Sequence, residues 1–347
     1  VPPSPLVLAC GLTTLDVRQT VERVPGPDEK VVAHDLAVEV GGPAANAATT
    51  CTALGVGARL LTRVGGATVG RIATEDLVRH AVEVVDLAGP DDAPAVSTVL
   101  VTAGTGQRAV ASVNATRATA STGDVDLPAV AHAALDGVTA VLVDGHHLDL
   151  AVPVAAAARA RGVVVVLDGG SWKPGLERLL AHVDVAVLSA DFRLPDGGAG
   201  RGRTPGHGTT AGLLEQPADL LDGVAASGPA VVAQSHGDGP VVVRHRLGRA
   251  EVPVPPVRPV DTLGAGDVLH GALAAWLACT AARSPSLAAD DGAVASPRSA
   301  LGAEEVLVAL AFATGVASSS VTAPGARGWT RDAAVVARAR EHLATAR

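Results

Sequence analysis

The chain has 347 residues, 48% of them hydrophobic and 18% charged, with a formal net charge of −8. That is enough apolar material for one large core with a small appendage. The acidic balance removes the electrostatic footprint of a nucleic-acid binder, no apolar run is expected to span a bilayer, and the opening VPPSPLVLAC lacks the charged and long apolar regions of a signal peptide.

The pattern, taken from the N-terminus, alternates short Val/Leu runs with Ala-rich stretches. Strands are expected at Leu6–Ala9, Val138–Val143, Val163–Leu167, Val185–Leu188 and Ala230–Ala233. Helices are expected near Ala44–Leu54, Val69–His80, Ala151–Arg161, Pro217–Ala226, Gly264–Ala278, Ala303–Ser319 and Asp332–Thr345. Strands that are apolar throughout and separated by helices imply a mostly parallel sheet covered on both faces, a three-layer α/β arrangement. Ligands of such sheets sit beyond the carboxyl ends of the strands. Two stretches, Leu12–Val40 and Val96–Val113, alternate like antiparallel strands, and Thr105-Gly106 suits a hairpin turn between two of them. They predict a small β lid, about 12–40 and 96–120, inserted in a single domain that spans 1–347. Asp196–Thr210 and Ala281–Ser299 carry no apolar period and read as surface loops.

Composition also limits the chemistry. Cys10, Cys51 and Cys279 are far apart and form no C-x-x-C, which suits a reducing cytoplasm and argues against a zinc knuckle. Tyr and Met are absent and aromatics make up 1%, so a base-binding pocket must be mostly aliphatic. Lys30 and Lys173 are the only lysines, and neither completes a G-x-x-x-x-G-K-[ST] loop. No G-x-S-x-G elbow occurs, and Gly206-His-Gly208 follows no strand, which makes it a poor dinucleotide fingerprint.

The informative stretch is VDTLGAGDVLHGALAAWLA, from Val260 to Ala278. Leu269, Ala272, Leu273 and Trp276 fall at i, i+3, i+4 and i+7, so a helix opens near Gly264. The first amides of a helix have no internal partner and carry partial positive charge. Glycines leave that backbone uncovered, so an anion can reach the amides of Gly264, Ala265 and Gly266. Asp267 lies in the first turn beside them. A glycine turn and an aspartate that merely complements the dipole is the plainer alternative.

With VGGPAANAATTCTALG near the start and VDTLGAGD near the end, the sequence resembles the PfkB, or ribokinase-like, family of carbohydrate kinases from about Val7 to Trp329. In motif detail, VDTLGAGD and the GQR of Gly106–Arg108 look like the ketohexokinase branch. The resemblance implies a ribokinase-like α/β fold with a β lid and an ATP-dependent transfer to a sugar hydroxyl, a ketose such as fructose or a derivative being favoured. It implies Asp267 as the base and Gly264, Ala265 and Gly266 as the anion hole. On the sugar side it implies Asp16, Gly41, Gly42 and Asn46, with Arg108 and Asn114 as lid contacts. On the nucleotide side it implies Ser189, Ser235, Gly237, Gly239 and Thr262, with Ala323 and Gly325 near the adenine. ATP and Mg²⁺ are the implied cofactors, with K⁺ as an optional activator and a homodimer through the lid. The positions of the family's Asn-x-x-Glu motif read Ser189 and Phe192 here, leaving the metal ligands unassigned, and His236 replaces the first glycine of the T-x-G-x-x-G loop.

Two clusters after strands add candidates. Asp144, His146, His147 and Asp149 form VDGHHLD, where His146 faces substrate, joins a metal site, or belongs to a plain polar loop. Asp168 and Lys173 lie in LDGGSWKPG, where the lysine pairs with nucleotide phosphates or caps a surface turn. A nucleoside kinase of the same fold and a non-catalytic sugar or nucleotide sensor are the competing functions; a sensor has no need of Asp267.

Overall fold

The computed structural model describes residues 4–105, 107–113, 125–195, 216–283 and 302–346. In chain order the elements are β1 (Leu6–Cys10), β2 (Thr14–Val21), β3 (Asp35–Gly41), α1 (Pro43–Ala53), β4 (Gly57–Thr62), α2 (Thr68–Arg79), β5 (Val82–Asp86), β6 (Ala95–Thr102) and β7 (Arg108–Ser112). There follow α3 (Leu127–Ala134), β8 (Ala140–Val143), α4 (Leu148–Ala160), β9 (Val164–Gly169), α5 (Leu176–Leu180), β10 (Val185–Leu188), α6 (Gln216–Ala226) and β11 (Val231–His236). The chain ends with β12 (Gly239–His245), β13 (Gly248–Val252), α7 (Ala265–Arg283), α8 (Ala303–Ser320), a short 3₁₀ turn (Gly328–Arg331) and α9 (Ala333–Ala344).

Nine strands form one sheet in the order β13-β12-β11-β10-β9-β8-β1-β4-β5. Pairing is parallel from β11 to β5, and β12 and β13 add an antiparallel edge. The apolar runs are buried on both faces because successive side chains alternate sides. Val7 and Ala9 of β1 and Ala140 and Leu142 of β8 join the layer of α1, α2, α7, α8 and α9. Leu8, Cys10, Val141 and Val143 join the layer of α3, α4, α5 and α6. The expected three-layer α/β arrangement is therefore the observed one.

The second sheet has the order β3-β2-β6-β7. Its hairpins β2/β3 and β6/β7 are antiparallel as the alternation predicts, but β2 and β6 join in parallel. Asn114, the turn glycine Gly106 and the loop segments 196–210 and 284–299 lie outside the described residues.

Helix α7 departs from its predicted single stripe. Every residue from Val268 to Cys279 is buried, because α7 packs between α1 and α8 and lies against the large sheet. Its 19 residues contain an 18-residue window of mean hydropathy 1.2, long and apolar enough to cross a bilayer, contrary to the expectation that no run would be, yet most of that window is buried in the core. The sequence pattern also missed β4, β5, α3, α5 and the β12/β13 hairpin. β5 and β13 are half-exposed, and the short α3 and α5 carry little periodicity.

Candidate active site

The site begins with a close helix crossing. A Cβ on Gly271 would meet Ala47 O at 2.6 Å, so only glycine lets α7 approach α1 this closely. Cys51 Sγ donates to Gly271 O at 3.3 Å across the same contact. The crossing brings Asn46 of α1 to Asp267 of α7, and Asn46 Nδ2 donates to Asp267 Oδ2 at 2.7 Å.

Asp267 is enclosed. Burial, reinforced by the nearby Asp168 carboxylate, pushes its carboxyl up to about 7, against the lowering effect of the Asn46 bond and His270. It is thus poised between proton donor and acceptor near neutral pH. One turn along α7, His270 is buried with Nδ1 at 2.6 Å from Gly266 O and Nε2 at 3.1 Å from Val187 O. Asp168 Oδ2 lies 3.3 Å from Nδ1. Burial pushes the Asp168 carboxyl up, and His270 opposes the shift.

The helix mouth is partly open. Gly264 has φ +73°, a left-handed conformation that favours glycine. Among the described residues its amide and that of Gly266 make no hydrogen bond, while Ala265 N donates weakly to Thr262 O at 3.4 Å. A Cβ on Gly266 would meet nothing within 4 Å, whereas one on Gly264 would collide with Ala326 Cβ at 2.4 Å. Two of the three expected anion-hole amides are therefore unengaged, and the third is lightly held.

In front of Asp267 lies a cavity of about 310 Å³ lined by Asp16, Gly41, Gly42, Asn46, Gly264 and Asp267, among others. Six of the predicted residues thus share one wall system. Gly41 leaves room for Asp16, since its Cβ would fall 2.1 Å from Asp16 Oδ2. Thr14 Oγ1 donates to Asp16 Oδ1 at 3.0 Å and orients it. Gly42, at φ +96°, starts α1 under the backbone of Leu12.

The remaining predictions fall into separate groups. Ser189, Ser235, Gly237 and Gly239 gather at the carboxyl ends of β10 and β11 and the turn to β12; Ser189 Oγ donates to Gly170 O at 2.8 Å and Ser235 Oγ to Leu188 O at 3.4 Å. Thr262, Ala323 and Gly325 form a second group. Asp261 ties it together by accepting from Leu263 N and Gly325 N, both at 2.9 Å. Gly325 lies against Glu39 of the small sheet, since a Cβ there would be 3.1 Å from its carboxylate. Lys173 is half-buried, which pulls its ammonium down against the opposing charges of Asp144 and Asp168. Arg108 opens β7 opposite Val101. His146 does not line the cavity; its amide donates to Asp144 Oδ1 at 2.9 Å. Asp144 Oδ2 also accepts from Leu12 N at 2.7 Å and Ala44 N at 3.2 Å, so this buried carboxylate fixes three turns around the site.

Sequence reasoning missed Glu39, Asp76, His80 and Arg327, which also line the cavity. Arg327 Nε donates to Asn46 Oδ1 at 2.9 Å and Nη1 to Asp76 Oδ2 at 2.8 Å, across 281 and 251 residues of chain. No local pattern announces pairs that far apart. Among the described residues no group of three His, Cys, Asp or Glu side chains could hold a metal ion.

A carboxyl near neutrality beside open helix-mouth amides fits phosphoryl transfer to an alcohol, and comparison with known proteins gives the same class of enzyme. A family profile described as pfkB family carbohydrate kinase matches residues 4–332, and the chain belongs to that family. Arabidopsis thaliana ribokinase complexed with ribose and ATP superposes with a TM-score of 0.70 at 20% identity, covering 98% of this chain and 99% of that one. A fructokinase with bound ATP from Xylella fastidiosa gives 0.66 at 18% identity, covering 98% and 99%. A nucleoside kinase from Methanocaldococcus jannaschii gives 0.63 at 14% identity, covering 99% and 100%.

Proposed function

We propose that this protein is an ATP-dependent sugar kinase that phosphorylates a hydroxyl of a small uncharged carbohydrate, with a ketose such as fructose or a derivative as the favoured acceptor. The observation that carries the reading is Asp267, half-buried, near neutrality, and set between the open amides of Gly264 and Gly266 and a carboxylate-lined cavity. Asp267 takes the proton of the acceptor hydroxyl as its oxygen bonds to the γ-phosphorus. ADP leaves from the opposite side, and the helix-mouth amides stabilise the charge on the transferring group.

The cavity favours a polyol over a nucleoside. Asp16, Glu39 and Asp267 are acceptors suited to hydroxyl groups, and no Phe, Tyr or Trp side chain among the described residues lines the cavity to stack on a base. The small sheet acts as the lid, since Asp16 and Glu39 sit opposite each other on β2 and β3 and both reach the cavity. The nucleotide lies along the Ser189, Ser235 and Gly237 group, with Lys173 toward its phosphates. Mg²⁺ bound with those phosphates would neutralise their charge. Phe192 is fully buried and offers the ion no donor, while Asp191 is exposed and supplies the available carboxylate there. Exposed Leu36 and Val38 on β3 support a dimer formed through the lid, and three buried thiols suit a cytoplasmic protein.

An ADP-release assay over ketoses, aldoses, sugar phosphates, sugar acids and nucleosides, with Mg²⁺ and K⁺ each withheld, tests the reading. Turnover greatest with a neutral ketose is expected. A preference for nucleosides, or no turnover with any acceptor, sinks it.

A further inference from the structure

Arg327 stands at the centre of a chain of side chains that joins four parts of the molecule. Asp76 of α2 holds its Nη1, Asn46 of α1 accepts from its Nε, and the same Asn46 donates to Asp267 of α7. Arg327 itself comes from the loop after α8. Its Nη2 is buried and has no hydrogen-bond partner among the described residues, and the side chain lines the cavity. A buried guanidinium with one arm unpaired carries a desolvation penalty that an acceptor atom in the cavity would relieve.

The bond to Asn46 has a second consequence. An amide side chain presents an acceptor on one side and donors on the other, and the two ends are nearly identical in shape. Because Arg327 Nε donates to Asn46 Oδ1, the amide is locked with Nδ2 toward Asp267 Oδ2. The other carboxylate oxygen of Asp267 is thereby left for the acceptor hydroxyl.

On the proposed kinase reading, we infer that Arg327 is a positioning and specificity residue: Nη2 donates to an oxygen of the bound sugar, and Nε sets the Asn46 amide that orients the base. Both actions come from one planar fork, which a lysine cannot reproduce. The charged groups around Asp267 are Asp168 on β9, Asp144 in the turn after β8, His270 on α7 and Arg327 itself. Of these, Arg327 is the one whose removal also frees the Asn46 amide. The Asn46 bond lowers the Asp267 pKa, so its loss moves the acid limb of the rate profile to higher pH.

The test is steady-state kinetics of the full chain with ATP and its best acceptor, from about pH 5 to about pH 9, alongside thermal melting. The variants are Arg327→Met, Arg327→Lys, Asn46→Ala and the double variant Asn46→Ala/Arg327→Met. Arg327→Met is expected to lower kcat/KM by roughly tenfold to a hundredfold, through a higher sugar KM and an acid limb shifted upward. Arg327→Lys is expected to restore the melting temperature but not the KM. The acid-limb shifts of Asn46→Ala and Arg327→Met should be less than additive in the double variant, because part of the Arg327 effect passes through Asn46 and the rest is its direct charge on Asp267. Where Arg327→Met fails to fold, Asp76→Asn/Arg327→Met removes the stranded carboxylate and is read in the same way. A variant that melts early but keeps wild-type KM and acid limb overturns the inference and leaves the kinase reading intact. A wild type that phosphorylates no acceptor overturns the kinase reading itself.

Discussion

The two ends of the cleft are built differently. The end proposed for the acceptor is a set of side chains from α1, α2, α7 and the loop after α8, joined by hydrogen bonds of 2.7 to 2.9 Å, with Asp16 and Glu39 of the small sheet on the same cavity. The end proposed for the nucleotide consists of serines bonded to nearby backbone and glycines whose added Cβ would meet little, as at Gly237. Side chains held by other side chains fix a specific hydroxyl pattern. Exposed backbone and small residues accommodate phosphates by shape and dipole. Acceptor choice is therefore expected to be sensitive to single substitutions, and ATP binding to be tolerant of them.

The largest expected effect is at Asp267. Asp267→Asn keeps the shape and removes the proton acceptor, so kcat should fall by roughly 10²–10⁴-fold with sugar affinity nearly unchanged. Rapid-quench measurement of product formation checks it, and near-normal turnover would break the contrast between the two ends. Next is the helix mouth. Gly266→Val places a side chain in open space over the amides, and roughly 10²–10³-fold in kcat should be lost without loss of stability. Gly264→Val is the poorer probe, since its positive φ and the collision with Ala326 mix folding with chemistry.

Asp144→Ala strands three backbone N–H groups and should cost about 3 kcal/mol or more by denaturant titration. Its effect on the ATP KM should be no greater than on the sugar KM.

The pH dependence sharpens the same comparison. Asp267 acts as base only when ionised, so kcat/KM should fall as pH drops below about 7. Its folded pKa lies above the ordinary carboxylate value, so the folded state binds this proton more tightly than the unfolded chain. Its contribution to stability is then fully present below the ordinary carboxylate range and is lost as pH rises to about 7. Asp267→Asn should flatten that part of a melting-temperature profile, and an unchanged slope would show that another group titrates there. The smallest effects belong to the other end. Ser189→Ala and Ser235→Ala should each alter the ATP KM by only about twofold, and a much larger rise would mean that side chains read the nucleotide.

Much of this architecture is legible in the sequence because it is local. The apolar runs of β1, β8, β9, β10 and β11 are short, continuous and flanked by turns, and a strand buried on both faces has no other signature. Gly264, Gly266 and Asp267 are neighbours in the chain, so a glycine-opened helix with an acid in its first turn could be read directly. Gly41, Gly42 and Asn46 entered through a motif of similar compactness and Asp16 through the family resemblance, and all of them reach the cavity.

What the sequence could not supply is whatever depends on distant segments meeting. Nothing local in GAR at Gly325–Arg327 tells that Arg327 turns toward Asn46 and Asp76 rather than toward an adenine. Nothing in a helix of small apolar residues tells that α7 is buried all round. Local hydrogen bonds and alternation determine which elements form. Only the packing of α1 against α7 decides which charges share a dry space, because desolvation and pairing depend on neighbours that chain order does not name.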